Sequence, residues 1–176
     1  MTQAFVFPGQ GSQTVGMGQV LAQTYPEAKA VFDEVDAALG QNLSDIMWNG
    51  QPETLTLTEN AQPALMAVSM AVMRVLEARG VKLADAAAYV AGHSLGEYAA
   101  LTAAGALQLD DASRLLKLRG QAMQRAVPVG VGAMAALLGL EFSVVAEIAQ
   151  EAASKTQVCA AANDNANGQV VISGHA

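Results

Sequence analysis

Cysteine is almost absent from this 176-residue sequence, where Cys159 stands alone. One thiol cannot build a disulfide framework, which excludes the stapled scaffolds of small secreted domains and fits a reducing compartment. Charge is scarce as well, at 14% of residues, against about 25% in an average soluble domain. The basic side is the thinner one, with nine Lys and Arg against sixteen Asp and Glu and a net charge of −7. Such a chain has no overall attraction for nucleic acid or for an anionic membrane surface. No apolar run approaches the roughly 20 residues that a membrane-spanning helix needs. The start, Met1-Thr2-Gln3-Ala4, lacks the basic opening of a signal peptide, so export is not expected. Only two histidines occur, and neither H-E-x-x-H nor Cys-x-x-Cys is present, so no metal site is expected. What is plentiful is apolar side chain, 52% of the sequence, enough for a large core and incompatible with disorder. The expectation is a globular, cytoplasmic protein.

The hydrophobic pattern alternates strand and helix, which predicts an α/β fold. Gln3–Phe7 is a short apolar run stopped by Pro8-Gly9. Pro26 suits a first helical position, and Val31, Phe32, Val35 and Leu39 then recur at helical spacing before Gly40. A second helix is predicted over 60–79, with Pro63 in its first turn and a stripe through Ala61, Ala64, Leu65, Val68, Val72, Val75 and Leu76. A buried strand over 86–91 runs into Gly92, a helix of small residues follows over 95–104, and Asp110 is read as the cap of a helix ending near Arg125. Beyond Gly130 the order becomes strand (133–138), helix (143–153) and two strands (158–162 and 169–173). That is the opening of a ferredoxin-like unit still owing a helix and a strand. The sequence is therefore expected to be the first portion of a longer protein, divided into a core at residues 1–129 and an incomplete smaller subdomain at 130–176.

Gly92-His93-Ser94-Leu95-Gly96 is a G-x-S-x-G pattern with a strand before it and a helix after it, the context of a nucleophile elbow. The tight turn crowds its flanking positions, hence the two glycines, and presents the Ser94 hydroxyl at the positive end of the next helix. The Leu95 backbone N–H then points where an oxyanion would form. The plainer alternative is a helix cap. His93 adjoins the apex, from which it points away, and reads as a loop-bonding residue rather than a base. His175, near the last residue, is either a base or a chain-end residue. Glu97 sits in the first turn of the helix, where the dipole alone explains a carboxylate.

On the helix from Asp110 the apolar stripe is read as Ala112, Leu115, Leu116, Ala122 and Met123, with Arg119 inside it. An inward guanidinium needs an anion, supplied either by the protein's own carboxylate or by a substrate. The pattern leaves both open. The loop Phe7-Pro8-Gly9-Gln10-Gly11-Ser12-Gln13 matches neither a dinucleotide fingerprint nor a Walker A loop. It follows a strand, where α/β sheets place their ligand loops, and Gln10 could offer an N–H to an oxyanion.

Three segments in this order, Phe7–Gln13, Gly92-His93-Ser94-Leu95-Gly96-Glu97-Tyr98 and Leu118-Arg119-Gly120, resemble the malonyl-CoA:acyl carrier protein transacylases of bacterial fatty-acid synthesis. Asn163, Asn165 and the run Gln169–Gly174 are similar as well, so the resemblance covers essentially the whole chain. It implies an α/β-hydrolase-like core with a parallel sheet plus the ferredoxin-like subdomain. It implies further that Ser94 is acylated by malonyl-CoA and passes the malonyl group to the phosphopantetheine thiol of acyl carrier protein. Gln10 and Leu95 would form the oxyanion hole. Arg119 would hold the malonyl carboxylate, with His93 beside the nucleophile as the other substrate-binding candidate. Leu95, aliphatic after the nucleophile, goes with malonyl rather than methylmalonyl. No cofactor of the protein's own is implied. The family's catalytic histidine corresponds to neither His93 nor His175 and would lie beyond Ala176, so these residues alone are expected to turn over poorly. Two other readings remain: a serine esterase or thioesterase, and a non-catalytic module that binds coenzyme A or the carrier. Arg114, Lys117 and Arg125 are the candidate basic patch for an acidic carrier, or else an ordinary solvated helix face.

Overall fold

The structure, a computed structural model, describes residues 3–176. They form two compact units, the first running through Gln124 and the second from Arg125 to Ala176. The elements of the first unit are β1 (Ala4–Phe7), α1 (Gln19–Thr24), α2 (Pro26–Leu39), α3 (Leu43–Asn49), α4 (Pro52–Thr56), α5 (Thr58–Ala78), α6 (Leu83–Ala86), β2 (Tyr89–Gly92), α7 (Leu95–Ala103) and α8 (Leu109–Ala126), the last of which reaches the boundary. The second unit holds β3 (Gly132–Leu138), α9 (Phe142–Ala152), β4 (Cys159–Ala166) and β5 (Gln169–His175). The predicted α/β class is correct. Among the described residues no helix is long and apolar enough to cross a membrane, and no cluster of three or more His, Cys, Asp or Glu could hold a metal ion.

In the first unit β1 and β2 pair in parallel, with Phe5 opposite Val90 and Phe7 opposite Gly92. Both strands therefore end together, and the loops that leave them lie side by side, as the carboxyl ends of parallel strands do in ligand-binding sheets. Phe5, Phe7 and Val90 pack on the helices. Val6 and Tyr89, on the opposite face, are 74% and 69% exposed. The core is built from the apolar faces of α2, α5 and α7, with Phe32, Leu43, Met47, Leu55, Met66, Leu95 and Leu116 fully buried. Phe32 meets Trp48 edge-on at 5.4 Å between ring centroids.

Several boundaries differ from the pattern's prediction, for physical reasons. The long helix begins at Thr58, so Pro63 lies past the first turn, and the Asn60 and Ala61 N–H groups bond the Leu57 carbonyl at 2.8 and 2.9 Å. The segment 86–91 is split, because Leu83–Ala86 coils into α6 before β2 starts at Tyr89. Asp110 is not the cap of α8, which begins one residue earlier; its carboxylate instead accepts bonds from the Arg114 guanidinium and the Asp111 N–H. Those two bonds hold the Asp110 carboxyl below its usual range.

The second unit is an antiparallel sheet in the order β3-β5-β4, with α9 between β3 and β4 in sequence. Val145, Ala149 and Val170 are its buried apolar side chains. Bulges between Ala161 and Asn163, and between Asp164 and Ala166, lengthen β4 beyond the predicted 158–162.

Candidate functional site

The two parallel strands deliver two loops to one edge. The first, after β1, is anchored at its far end: the Gly16 N–H bonds the Met47 carbonyl at 2.8 Å, and the Trp48 indole N–H bonds the Met17 carbonyl at 3.1 Å. The second is the turn from β2 into α7. Ser94 sits at its apex with φ 56° and ψ −114°, and it is the sole non-glycine residue with positive φ among those described. Such a backbone costs on the order of 1–3 kcal/mol and persists only where the surroundings enforce it. Here the His93 N–H bonds the Phe7 carbonyl at 3.3 Å, the Gly96 N–H bonds the His93 carbonyl at 2.9 Å, and the Glu97 N–H bonds the Ser94 carbonyl at 3.1 Å.

The flanking glycines have the steric cause that the pattern required. A Cβ on Gly92 would run into the backbone of Gly96 and Glu97, and one on Gly96 would run into the Phe7 carbonyl. The close approach of Gly96 brings the start of α7 against the end of β1. Leu95 is the first residue of α7, so its N–H belongs to the opening turn, whose donors have no intrahelical acceptor. It stands next to Ser94 at the positive end of the helix dipole.

Arg119 reaches this turn from α8. Its Nη2 donates to Ser94 Oγ at 3.0 Å, and its Nη1 donates to the Gln62 carbonyl oxygen at 2.6 Å. The guanidinium also lies at 6.0 Å from the Tyr98 ring centroid. Among the described residues it has no carboxylate at ion-pair distance. The predicted stripe around it needs correcting, however. Leu115 and Met123 are exposed, and the buried face of α8 is Leu109, Ala112, Ser113, Leu116 and Gly120. Arg119 is half-buried at the margin of that face, where its stem is covered and its head meets the turn.

Gly120 sets the distance between α8 and α5. A Cβ there would fall 2.7 Å from both the Glu59 nitrogen and the Thr58 carbonyl oxygen. A half-buried ion pair, Lys117 to Glu59 at 3.3 Å, closes the same seam. Gly120→Ala is expected to cost about 1–3 kcal/mol by overpacking. Denaturant unfolding measures this, and a change within 0.5 kcal/mol, the scatter of neutral surface substitutions, would refute the contact.

Gln10 lies on the first loop, its side-chain carbonyl accepting from the Thr58 hydroxyl at 3.1 Å. His93 is exposed, with its imidazole Nδ1 only 2.7 Å from where a Cβ on Gly9 would be, so it lies against the neighbouring loop. Ser94, Leu95, Arg119, Gln10 and His93 therefore belong to one unit and one strand edge. His175 is elsewhere, in β5, where its Nδ1 accepts the Val158 N–H at 2.9 Å. Sequence reasoning missed Gln62 and Thr58. Neither carries a local sequence signal, since the full burial of Gln62 beside Pro63 emerges only in the fold. Two basic-patch candidates are already paired, Arg114 with Asp110 and Asp111, and Lys117 with Glu59.

A serine held at a strained strand-to-helix turn, with a helix N-terminus behind it and a guanidinium at its hydroxyl, is an arrangement by which an α/β fold exposes a serine side chain. The particular family follows from comparison with known proteins. The sequence matches the acyl transferase domain over residues 4–176, and the chain belongs to that family. The malonyl CoA-acyl carrier protein transacylase of Escherichia coli K12 is 51% identical over 176 residues, covering 99% of this chain and 56% of that protein. The crystal structure of an acyl-carrier-protein S-malonyltransferase from Bartonella henselae superposes with a TM-score of 0.93 at 57% identity, over 100% of this chain and 56% of the other. A type II PKS acyl carrier protein in complex with its malonyl-transacylase gives a TM-score of 0.90 at 42% identity, over 99% and 55%. The chain thus spans just over half the length of the relatives it matches.

Proposed function

We propose that the protein transfers a malonyl group from coenzyme A to the phosphopantetheine thiol of acyl carrier protein, in bacterial fatty-acid synthesis in the cytoplasm. The observation that carries this reading is the Arg119 guanidinium 3.0 Å from the Ser94 hydroxyl, with no carboxylate at ion-pair distance among the described residues. A planar fork beside a nucleophile suits an acyl group whose far end is itself a carboxylate. A plain esterase would have no use for that charge.

In the first half-reaction Ser94 Oγ attacks the thioester carbonyl and loses its proton to a general base, the role that the family resemblance gives to a histidine other than His93 and His175. The oxygen that becomes negative is received by the Leu95 N–H and the Gln10 side chain. The C–S bond breaks, and coenzyme A leaves as the thiol with the proton from the base. The carrier's thiol then attacks the malonyl-serine ester, its proton passing by the same base to Ser94 Oγ. Arg119 holds the malonyl carboxylate throughout, and His93, next to Ser94 in the elbow, is the other substrate-binding candidate. Neither half-reaction requires a bound cofactor.

The architecture we assign to this function is an α/β-hydrolase-like core over 1–129 and a ferredoxin-like subdomain from 130. The β3-α9-β4-β5 order with β5 central is what supports the second part. The test is the intact mass of the whole protein after brief mixing with malonyl-CoA or acetyl-CoA. One malonyl group added, with little acetyl, is the expected result. No adduct, or equal labelling by both, would refute the proposal.

A further inference from the structure

Between the two groups proposed to bind the substrate's ends lies a continuous line of side-chain hydrogen bonds. Gln62 is completely buried, and its amide is oriented by its neighbours. The carbonyl oxygen accepts from Arg119 Nη1 at 2.6 Å, while the Nε2 group donates to Thr58 Oγ1 at 2.9 Å and toward Met123 Sδ at 3.3 Å. Thr58, one turn earlier on α5, accepts with its oxygen and so turns its hydroxyl proton outward, to Gln10 Oε1 at 3.1 Å. An amide whose oxygen is occupied in this way presents its NH2 end to the site.

We propose that Gln62 and Thr58 are positioning residues that couple the carboxylate-binding guanidinium to the oxyanion donor. The relay has one polarity. With its oxygen toward Arg119, Gln62 steers one arm of the guanidinium and leaves the other at Ser94; with its nitrogen toward Thr58, it fixes which end of Gln10 faces the substrate. Reversing the amide would set an NH2 against a guanidinium and draw the Thr58 proton back to Gln62, leaving the Thr58 oxygen facing the Gln10 carbonyl without a proton between them. The full burial of Gln62 keeps water from its own amide, whereas Thr58 is half-buried and Gln10 exposed. The pair thus acts through Arg119 and Gln10 without touching substrate, and the inference rests on the malonyl-transfer reading above.

Two substitutions separate the arms. Thr58→Val keeps the shape and removes only the hydroxyl, so it releases Gln10 while leaving Arg119 held. It is expected to lower kcat about tenfold for malonyl-CoA and acetyl-CoA alike, with their KM ratio unchanged, and Thr58→Ser should restore most of the loss. Gln62→Glu gives Arg119 an internal carboxylate that competes with the substrate's own, and because it also removes the N–H that Thr58 accepts it carries the kcat loss of Thr58→Val on both thioesters. It is expected to raise KM for malonyl-CoA about tenfold or more while leaving KM for acetyl-CoA within twofold. The measurement is steady-state transfer by the whole protein with both thioesters. The relay is overturned if Thr58→Val keeps wild-type kcat, if Thr58→Ser fails to rescue, or if Gln62→Glu leaves the malonyl-to-acetyl KM ratio in place. A wild-type protein that does not prefer malonyl refutes the functional reading instead, and the Thr58 arm is still decided by kcat on whichever thioester is accepted.

Discussion

Ser94→Ala is expected to abolish formation of the acyl-enzyme and to lower transfer by at least about four orders of magnitude, the loss typical of removing a serine nucleophile. The expectation follows from geometry before chemistry. Ser94 holds a backbone conformation that other residues avoid, and it does so because Gly92 and Gly96 let strand, turn and helix close on one another. A helix cap has no need of that strain, since an ordinary extended conformation caps equally well. The side chain also makes no capping bond to its own helix. Its recorded partner is Arg119. Removing the hydroxyl should therefore leave the fold intact or slightly stabilised, since a site that stores strain gains nothing from it in folding. Rapid mixing with malonyl-CoA followed by intact-mass analysis reads the adduct, and thermal unfolding reads the fold. Persistent labelling of the variant at the wild-type rate would remove Ser94 from the mechanism.

The elbow was legible in the sequence because its constraint is local: two glycines, a serine and a strand-to-helix junction occupy five consecutive positions. The long helices were legible for a related reason, since α2, α5 and α8 are long enough for a periodic stripe to emerge. The short helices α1, α3, α4 and α6 were not, because four to seven residues hold too few turns to show a period. Arg119 was recognised, yet its stripe was misplaced. Leu115, Ala122 and Met123 look like core in a one-dimensional pattern and are exposed, whereas Ser113 is fully buried because its hydroxyl bonds back to the Leu109 carbonyl at 2.7 Å. A polar residue that satisfies itself within its own helix carries no outward sign of burial. Gln62 escaped for the complementary reason. Its partners are Thr58, one turn away, and Arg119 and Met123 on a different helix, and only the fold brings those together.

Arg119→Ala is expected to collapse the preference for malonyl over acetyl thioesters by about 100-fold or more. Truncating one partner of a desolvated, hydrogen-bonded charge pair costs about 3–5 kcal/mol, and each 1.36 kcal/mol is a factor of ten in rate. The full value applies only if the guanidinium meets the carboxylate with both arms. One arm is committed to Gln62 and the other rests on Ser94 Oγ, the position that a bound malonyl group would take over. Acetyl-CoA carries no carboxylate, so its kcat/KM should change little. Arg119→Lys separates charge from shape: one ammonium cannot keep both the Gln62 contact and a forked grip on substrate, so selectivity should fall to an intermediate value near tenfold. The comparison of kcat/KM for the two thioesters across wild type and both variants decides the matter. Equal losses on malonyl and acetyl would make Arg119 a structural support of the elbow, and the carboxylate would then have to be bound elsewhere.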